Sequence, residues 1–358
     1  MIRTGCNRFA DIDADTFMMC PKPDGIGEPL HDTGLQDGFQ RRLNYLRVSV
    51  TDRCNLRCVY CVPRETIPHM SHLDILRYEE ILRIIRIGVT LGITKIRITG
   101  GEPLVRKDLL PFLEELTHLE GLTDIALTTN GVFLQDFLKP LQAAGIKRLN
   151  ISLDTLRRDR FAELTGSDRF DQVWTAVETA HAMGFHPIKL NVVAMRGIND
   201  DEFHDIAALT RTLPYHVRFI EYMPMGNPNL PGDPYMSNDE VRQRLEVQDA
   251  LEPVPRSHND GPAERFRYPN TPGEVGFISP LSHHFCDSCN RLRLTAGGKL
   301  RPCLLSNQEF DLITPLRTGA SDAELAAIFL EGARLKPMAH GLIAGGKKVN
   351  ARMSSIGG

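Results

Sequence analysis

The chain has 358 residues, 42% of them hydrophobic, and 42 basic against 45 acidic side chains leave a net charge of −3. That is enough apolar material for one large α/β unit with a smaller appendage. The charge argues against a general nucleic-acid or anionic-membrane surface, while a local basic pocket remains open.

Residues 1–40 read as a loosely ordered lead-in. They carry Asp11, Asp13 and Asp15 and no continuous apolar core, unlike transit or secretory peptides; Cys6 and Cys20 read there as free thiols without a role. Further on, apolar stretches such as 81–93 are broken by Arg83, Arg86 and Gly88, far short of the run of about 18 residues that a membrane span requires. From 41 to 236 the pattern predicts strands at Leu46–Thr51, Lys95–Thr99, Asp124–Thr128, Arg148–Asp154, Ile188–Ala194 and Val217–Tyr222. Between them helices are expected at Tyr78–Leu91, Asp108–Leu119, Val132–Ala144, Phe170–Met183 and Asp201–Leu213, several ending near a glycine such as Gly92, Gly145 or Gly184. Such alternation predicts a parallel sheet with crossover helices. Six strands fall short of the eight of a closed barrel, so the fold expected is α/β, a curved, partial (β/α)6 barrel of TIM type, in preference to a flat doubly wound sheet.

Side-chain alternation favours the curved sheet. Arg47, Ser49 and Thr51 face opposite Leu46, Val48 and Val50; Lys95, Arg97 and Thr99 opposite Ile96 and Ile98; Asn150, Ser152 and Asp154 opposite Ile151 and Leu153; Lys189 and Asn191 opposite Ile188, Leu190 and Val192. Parallel strands covered on both faces are instead nearly continuous apolar runs. One face of this sheet is therefore expected to be polar and basic, and to line a cavity.

Residues 237–345 read as a smaller C-terminal module on the mouth of the barrel. It has proline-rich loops between Leu251 and Pro280, short strands at Val275–Ser279, Arg291–Thr295 and Lys299–Leu304, and a helix at Asp322–Leu335. A polar tail, 346–358, ends in Gly357-Gly358.

Six of the eight cysteines fall into two groups of three, Cys54-x3-Cys58-x2-Cys61 and Cys286-x2-Cys289-x13-Cys303. The four-residue first step is unlike the evenly paired spacing of zinc ribbons and redox disulfides, and it points to an iron–sulfur cluster. A cubic cluster normally takes four thiolates; three leave one iron with an open position, as a metal that binds a ligand must have. Zinc is the rival for the second trio, because His283 or His284 could complete a closed site. Disulfides are disfavoured in a long chain with so few cysteines, and reduced thiols place the chain in the cytoplasm.

The loop Cys54-Asn-Leu-Arg-Cys58-Val-Tyr60-Cys61 after the first strand resembles the cluster loop of radical S-adenosylmethionine enzymes. Gly100-Gly101-Glu102-Pro103, after the second strand, resembles that family's glycine-rich stretch, which receives the methionine amino group through backbone and carboxylate. In such enzymes the open iron chelates S-adenosylmethionine, and one electron yields a 5′-deoxyadenosyl radical. Within the family, the stretch from Phe285 to Thr295 and Arg301-Pro302-Cys303-Leu304, with the tail Arg352-Met353-Ser-Ser-Ile356-Gly357-Gly358, resembles the GTP 3′,8-cyclase branch of molybdenum cofactor biosynthesis. There the double-glycine end is thought to reach into the active site.

The resemblance implies two 4Fe–4S clusters, on Cys54, Cys58 and Cys61 and on Cys286, Cys289 and Cys303. It implies S-adenosylmethionine contacts from Tyr60, Gly101, Ser152 and Met223, and GTP contacts from Arg47, Arg97, Thr128, Lys189, Arg291, Leu292 and Arg293. Hydrogen abstraction from C3′ of the ribose, addition of that carbon to C8 of guanine and reduction of the resulting radical would follow, with the guanine on the open iron of the second cluster. The implied partners are a low-potential electron donor of flavodoxin or ferredoxin type and the cyclic pyranopterin monophosphate synthase that takes the product. A homodimer is also implied.

The residues support the GTP reading in their own way. No phosphate loop is present; the nearest approach, Gly341-x4-Gly346-Lys347-Lys348, has Lys348 where a magnesium-binding hydroxyl is needed. A triphosphate must then be met by converging cations, and Arg291 and Arg293, alternating with Leu292 and Leu294, read as a clamp of planar guanidinium forks. Two alternatives stand: a peptide maturase of the same family with an auxiliary cluster, and a zinc-stabilised, non-catalytic binding protein.

Overall fold

The structure, a computed structural model, describes residues 34–61, 69–225, 230, 232–255, 261–341, 349 and 353–357. The lead-in with Cys6 and Cys20, the phosphate-loop-like stretch after Gly341, Arg352 and Gly358 lie outside the described residues.

Chain order begins with the expected alternation: β1 (Tyr45–Ser49), α1 (Tyr78–Thr90), β2 (Lys95–Thr99), α2 (Leu109–Thr117), β3 (Asp124–Thr129), α3 (Leu134–Ala143), β4 (Arg148–Ser152), α4 (Arg158–Thr165), α5 (Phe170–Ala182), β5 (Ile188–Ala194), α6 (Phe203–Thr212) and β6 (His216–Glu221). All six strands pair in parallel with their sequence neighbours. Leu46, Val48, Ile98, Leu149, Leu190 and Val217 are buried on the outer face, where the crossover helices cover them. That segregation of apolar from polar alternates turns the basic face inward. Helix α4 and the short helices noted below were not expected; α4 has the sequence RDRFAELT, whose apolar stripe is too narrow to read.

The C-terminal third differs from expectation. After α7 (Asn238–Glu246) come β7 (Glu252–Pro253), β8 (Glu264–Arg267), β9 (Glu274–Ile278), β10 (Arg291–Leu294), β11 (Lys299–Arg301) and β12 (Phe310–Asp311), then α8 (Ile313–Arg317), α9 (Asp322–Arg334) and α10 (Met353–Ile356). The stretch read as proline-rich loops contains β7 and β8. The sheet order is β12-β11-β10-β1-β2-β3-β4-β5-β6-β9-β8-β7. Strand β9 adds to β6 and β10 to β1, both in parallel, so the late strands complete a run of eight parallel strands at both edges of the early six. The boundary expected near 236 is thus not a break in the sheet, and residues from Thr33 onward form one compact unit. No helix among the described residues is long and apolar enough to cross a membrane.

Helix α9 is held at its start by a reciprocal capping box. Ser321 Oγ accepts from Glu324 N at 3.3 Å, and the Glu324 carboxylate accepts from Ser321 N at 2.7 Å. It packs on α1, with Arg83 Nε 2.8 Å from Asp322 Oδ1.

Candidate functional site

A cavity of about 300 Å³ runs along the inner face of the sheet, from the C-terminal end of β1, where the loop with Cys54, Cys58 and Cys61 follows and where parallel α/β barrels carry their sites, to the N-terminal end of β10, which Cys286 and Cys289 precede. Its position follows from local rules. Strand β1 runs into the loop bearing Cys54, Cys58 and Cys61. That loop is tied to the end of α4 by Arg57 N donating to Thr165 O at 2.8 Å and Val59 N to Leu164 O at 2.9 Å. The turn after β2 closes against the same loop, Gly101 N donating to Thr51 O at 2.7 Å and Glu102 N to Arg53 O at 2.8 Å. A Cβ on Gly101 would sit 2.3 Å from Arg53 O, so only glycine permits that approach.

Glu102 does not reach the ligand space. It is 1% exposed and accepts from Leu104 N at 3.1 Å, Thr129 Oγ1 at 2.8 Å and Asn130 N at 2.6 Å. Burial lifts its pKa to about 7 although all three hydrogen bonds oppose the rise. Its carboxylate braces the end of β3 and is not among the residues that line the cavity. The braced Asn130 in turn offers Nδ2 to Asn55 Oδ1 at 2.8 Å and to Cys54 Sγ at 3.7 Å.

Tyr60, Gly101, Ser152 and Met223 all line the cavity. The Tyr60 hydroxyl donates to Asp154 Oδ2 at 2.7 Å, and Val193 N donates to Asp154 Oδ1 at 2.8 Å. Burial nonetheless raises the Asp154 carboxyl to about 6. Burial pushes the Cys58 thiol up and takes Cys61 up to about 12. Bare thiols here resist ionisation, and a metal is what would hold all three as thiolates.

The basic face is a set of level rows. Arg293 on β10, Arg47 on β1 and Arg97 on β2 are register partners across three adjacent strands. Neighbouring strands stand about 4.8 Å apart, so three guanidiniums share one rung of the sheet. Burial, then Arg293, then Arg97 hold Arg47 well below its ordinary pKa; burial and Arg291 bring Arg293 down to about 9. Like charges across strands oppose folding unless an anion joins them. Arg97 Nε and Thr128 Oγ1 are buried with no hydrogen-bond partner among the described residues. A second rung carries Ser152, Asn191 and Arg218 across β4, β5 and β6. Arg218 lines the cavity and was missed; the alternation of β6, with Val217 and Phe219 buried on the other face, was the available signal.

Two expected GTP residues do not line the cavity. Lys189 is on the inward face of β5, one inward position before Asn191 and level with Thr128, Asn150 and His216; it is buried and is not among the residues that line the cavity. Burial, then Arg218, Arg148 and Arg97, lower its pKa to about 6. Leu292 is fully buried on the outer face, opposite Leu46, so its side chain is excluded and its backbone alone remains available.

The second trio lines the far side of the same cavity. Burial alone would raise Cys289, but Arg291 and Lys336 bring it down to about 6. His283 turns elsewhere, Nε2 lying 2.6 Å from Asp239 Oδ2 on the exposed surface, whereas His284 lines the cavity. Among the described residues no group of three or more His, Cys, Asp or Glu side chains is placed to hold a single metal ion. Between the trios enters α10: the Ser354 backbone hydrogen-bonds the Cys61 thiol, and Gly357 O accepts from Arg293.

An open parallel sheet with a three-cysteine loop after its first strand defines the class, a radical S-adenosylmethionine enzyme, and the Radical SAM superfamily model matches residues 48–210. The Molybdenum Cofactor Synthesis C model matches residues 215–342. The GTP 3′,8-cyclase of Moorella thermoacetica is 50% identical over 324 residues, covering 90% of this chain and 100% of that one. That of Heliobacterium modesticaldum is 50% identical over 329 residues, covering 90% and 99%, and that of Desulforamulus reducens 48% identical over 325 residues, covering 90% and 99%. The chain belongs to the GTP 3′,8-cyclase family. Among solved structures, Streptococcus suis SuiB matches with a TM-score of 0.52 and 17% identity over 84% of this chain and 68% of that one. SuiB bound to its precursor peptide SuiA gives 0.53 and 17% over 84% and 67%. Those likenesses are of fold alone and lend no weight to a peptide substrate. A 4Fe–4S cluster and S-adenosylmethionine are the family's cofactors.

Proposed function

We infer that the cavity converts GTP to (8S)-3′,8-cyclo-7,8-dihydroguanosine 5′-triphosphate, the first step of molybdenum cofactor biosynthesis. The observation that carries the reading is the level row Arg293, Arg47 and Arg97, a polyanion site in a cavity that has a cysteine trio on each side.

Cys54, Cys58 and Cys61 would hold the first cluster, and Cys286, Cys289 and Cys303 the second; a half-buried donor set of three thiols facing a cavity fits a cubane with one open iron. When bound, the first cluster and S-adenosylmethionine supply the radical that takes hydrogen from C3′. The chain's own part is alignment and exclusion of water. Gly101, Ser152 and Met223 would line the S-adenosylmethionine side, with Tyr60 fixed by Asp154. Arg47, Arg97, Arg291 and Arg293 would take the triphosphate, with Arg218 and Thr128 beside them. Lys189 would act on these cations through its charge, without lining the cavity. The tail, from Ser354 to Gly357, would close the space between the trios.

A low-potential flavodoxin- or ferredoxin-type donor, hand-off to cyclic pyranopterin monophosphate synthase, a homodimer and a cytoplasmic location complete the proposal. Anaerobic reconstitution should give about eight irons per chain with matching labile sulfide, and 5′-deoxyadenosine formation should depend on GTP. Zinc without labile sulfide, or turnover driven by a peptide, would overturn it.

A further inference from the structure

Behind the second trio runs Lys336-Pro337-Met338, gripped by two buried cations. Arg41 donates through Nη1 to Cys286 O at 2.5 Å and Met338 O at 2.9 Å, and through Nη2 to Pro337 O at 2.7 Å. Its charge is met by Asp37, whose Oδ2 lies 2.5 Å from Nε. Lys336 follows α9 closely and is only 3% exposed. Its Nζ donates to Arg291 O at 2.8 Å and to Pro302 O. Arg291 stands two residues after Cys289, and Pro302 immediately precedes Cys303. One ammonium therefore ties together the chain beside two of the three cysteines, spending two of its three hydrogens on carbonyls.

The two cations differ in their counter-charge. Among the described residues no carboxylate lies within ion-pair distance of Lys336. The groups that favour its charged form are Cys289 and Cys303, and Arg291 and Arg41 oppose it. A buried ammonium without an anion is costly, so the fold has placed a cation where it expects negative charge on those two sulfurs. A cluster held by three thiolates supplies that charge, and gains one more negative charge on reduction.

We propose that Lys336 is the counter-ion and positioning residue of the second cluster, holding together the segments beside β10 and β11 that carry Cys289 and Cys303 and raising the cluster's reduction potential. The proposal rests on the two-cluster reading. Charge and hydrogen bonding around the sulfurs are what set such potentials, and a fixed cation favours the more negative, reduced state.

The test uses the full chain with Cys54, Cys58 and Cys61 replaced by alanine, so that only the second cluster contributes to an anaerobic redox titration followed by electron paramagnetic resonance. Lys336→Met should retain about four irons and shift the reduction equilibrium at least tenfold toward the oxidised form, about 59 mV for one electron; Lys336→Arg should stay near the parent. Full iron with an unchanged potential in Lys336→Met overturns the proposal. If the methionine variant loses iron, retention by Lys336→Arg upholds the role of the charge, and loss in both overturns it. A parent protein that binds zinc without labile sulfide removes the cluster reading itself, a result separate from any effect of Lys336.

Discussion

Arg293 Nη1 donates to the carbonyl oxygen of Gly357 at 2.9 Å. A guanidinium on β10 and the last described residue of the chain thus meet at the cavity, although 64 positions separate them. The tail lies against the arginine row through a main-chain acceptor.

Gly357 has φ +70°, and a Cβ there would lie 2.4 Å from Thr99 Cγ2 and 3.4 Å from Ser49 Cβ. Gly357→Ala should displace the tail and lower formation of the cyclised nucleotide by about tenfold or more, roughly 1.4 kcal/mol. Because α10 is only four residues long, the thermal midpoint should move by no more than about 2 °C, since 1 kcal/mol gives only about 1–2 °C in a chain of this size. Product assay and melting curve together separate the two effects, and unchanged turnover would remove the tail from the mechanism.

Arg291→Ala should weaken GTP affinity about tenfold or more, about 1.4 kcal/mol. Turnover should be lost while S-adenosylmethionine cleavage is partly retained. Equilibrium binding under anaerobic conditions is the measurement, and an affinity equal to the parent's would refute the clamp.

Lys189 has a pKa near 6 in the folded protein, against 10.5 for a free side chain, because burial and the nearby Arg218, Arg148 and Arg97 disfavour its cation. The folded chain binds fewer protons than the unfolded one across that window, so this residue adds stability as pH rises from about 6 to 10.5. A triphosphate on the arginine row reverses the local field and should recharge the lysine. Calorimetry of GTP binding near pH 7.5, in buffers of different ionisation heat, should report proton uptake that is absent in Lys189→Met. Equal uptake in both proteins would exclude Lys189 as its source.

Glu80 on α1 is bound by Arg317 of α8, with Nε 2.9 Å from Oε1 and Nη2 3.0 Å from Oε2. Burial alone would raise the carboxyl, but Arg317 and Arg77 bring it down to about 2, against 4.5 when free. A lowered folded pKa contributes stability that is present above about pH 4.5 and is lost as pH falls toward 2. Arg317→Ala should therefore unfold at a higher pH on acidification and converge with the parent at the acid end. A constant difference between the two proteins down to pH 2 would assign the effect to packing.

The early strands were legible because each alternates polar and apolar residues with a clean period. Arg47, Arg97 and Ser152 fall on the polar face by that period, whereas Thr128 rests on the family resemblance. Lys189 shared the signal and still does not line the cavity, although it is level with Thr128, because alternation names a face and not which of its side chains are covered by neighbours. Arg218 was overlooked on a strand whose alternation is equally clear. The glycine-rich turn was found, but not that Glu102 spends its oxygens on Thr129 and Asn130, since strand-end hydrogen bonding depends on how far the turn folds back.

Local spacing, by itself, determined the chemistry: two incomplete sets of thiols, a polar sheet face and an Arg-x-Arg pair are properties of neighbours along the chain. Only the tertiary structure decided that β10 pairs with β1 and sets Arg293 level with Arg47, that β9 continues β6, and that Gly357 reaches Arg293. Those pairings join residues up to 246 positions apart. No local period encodes them; they follow from the requirement that the edges of a curved sheet find partners and that its buried charges be met.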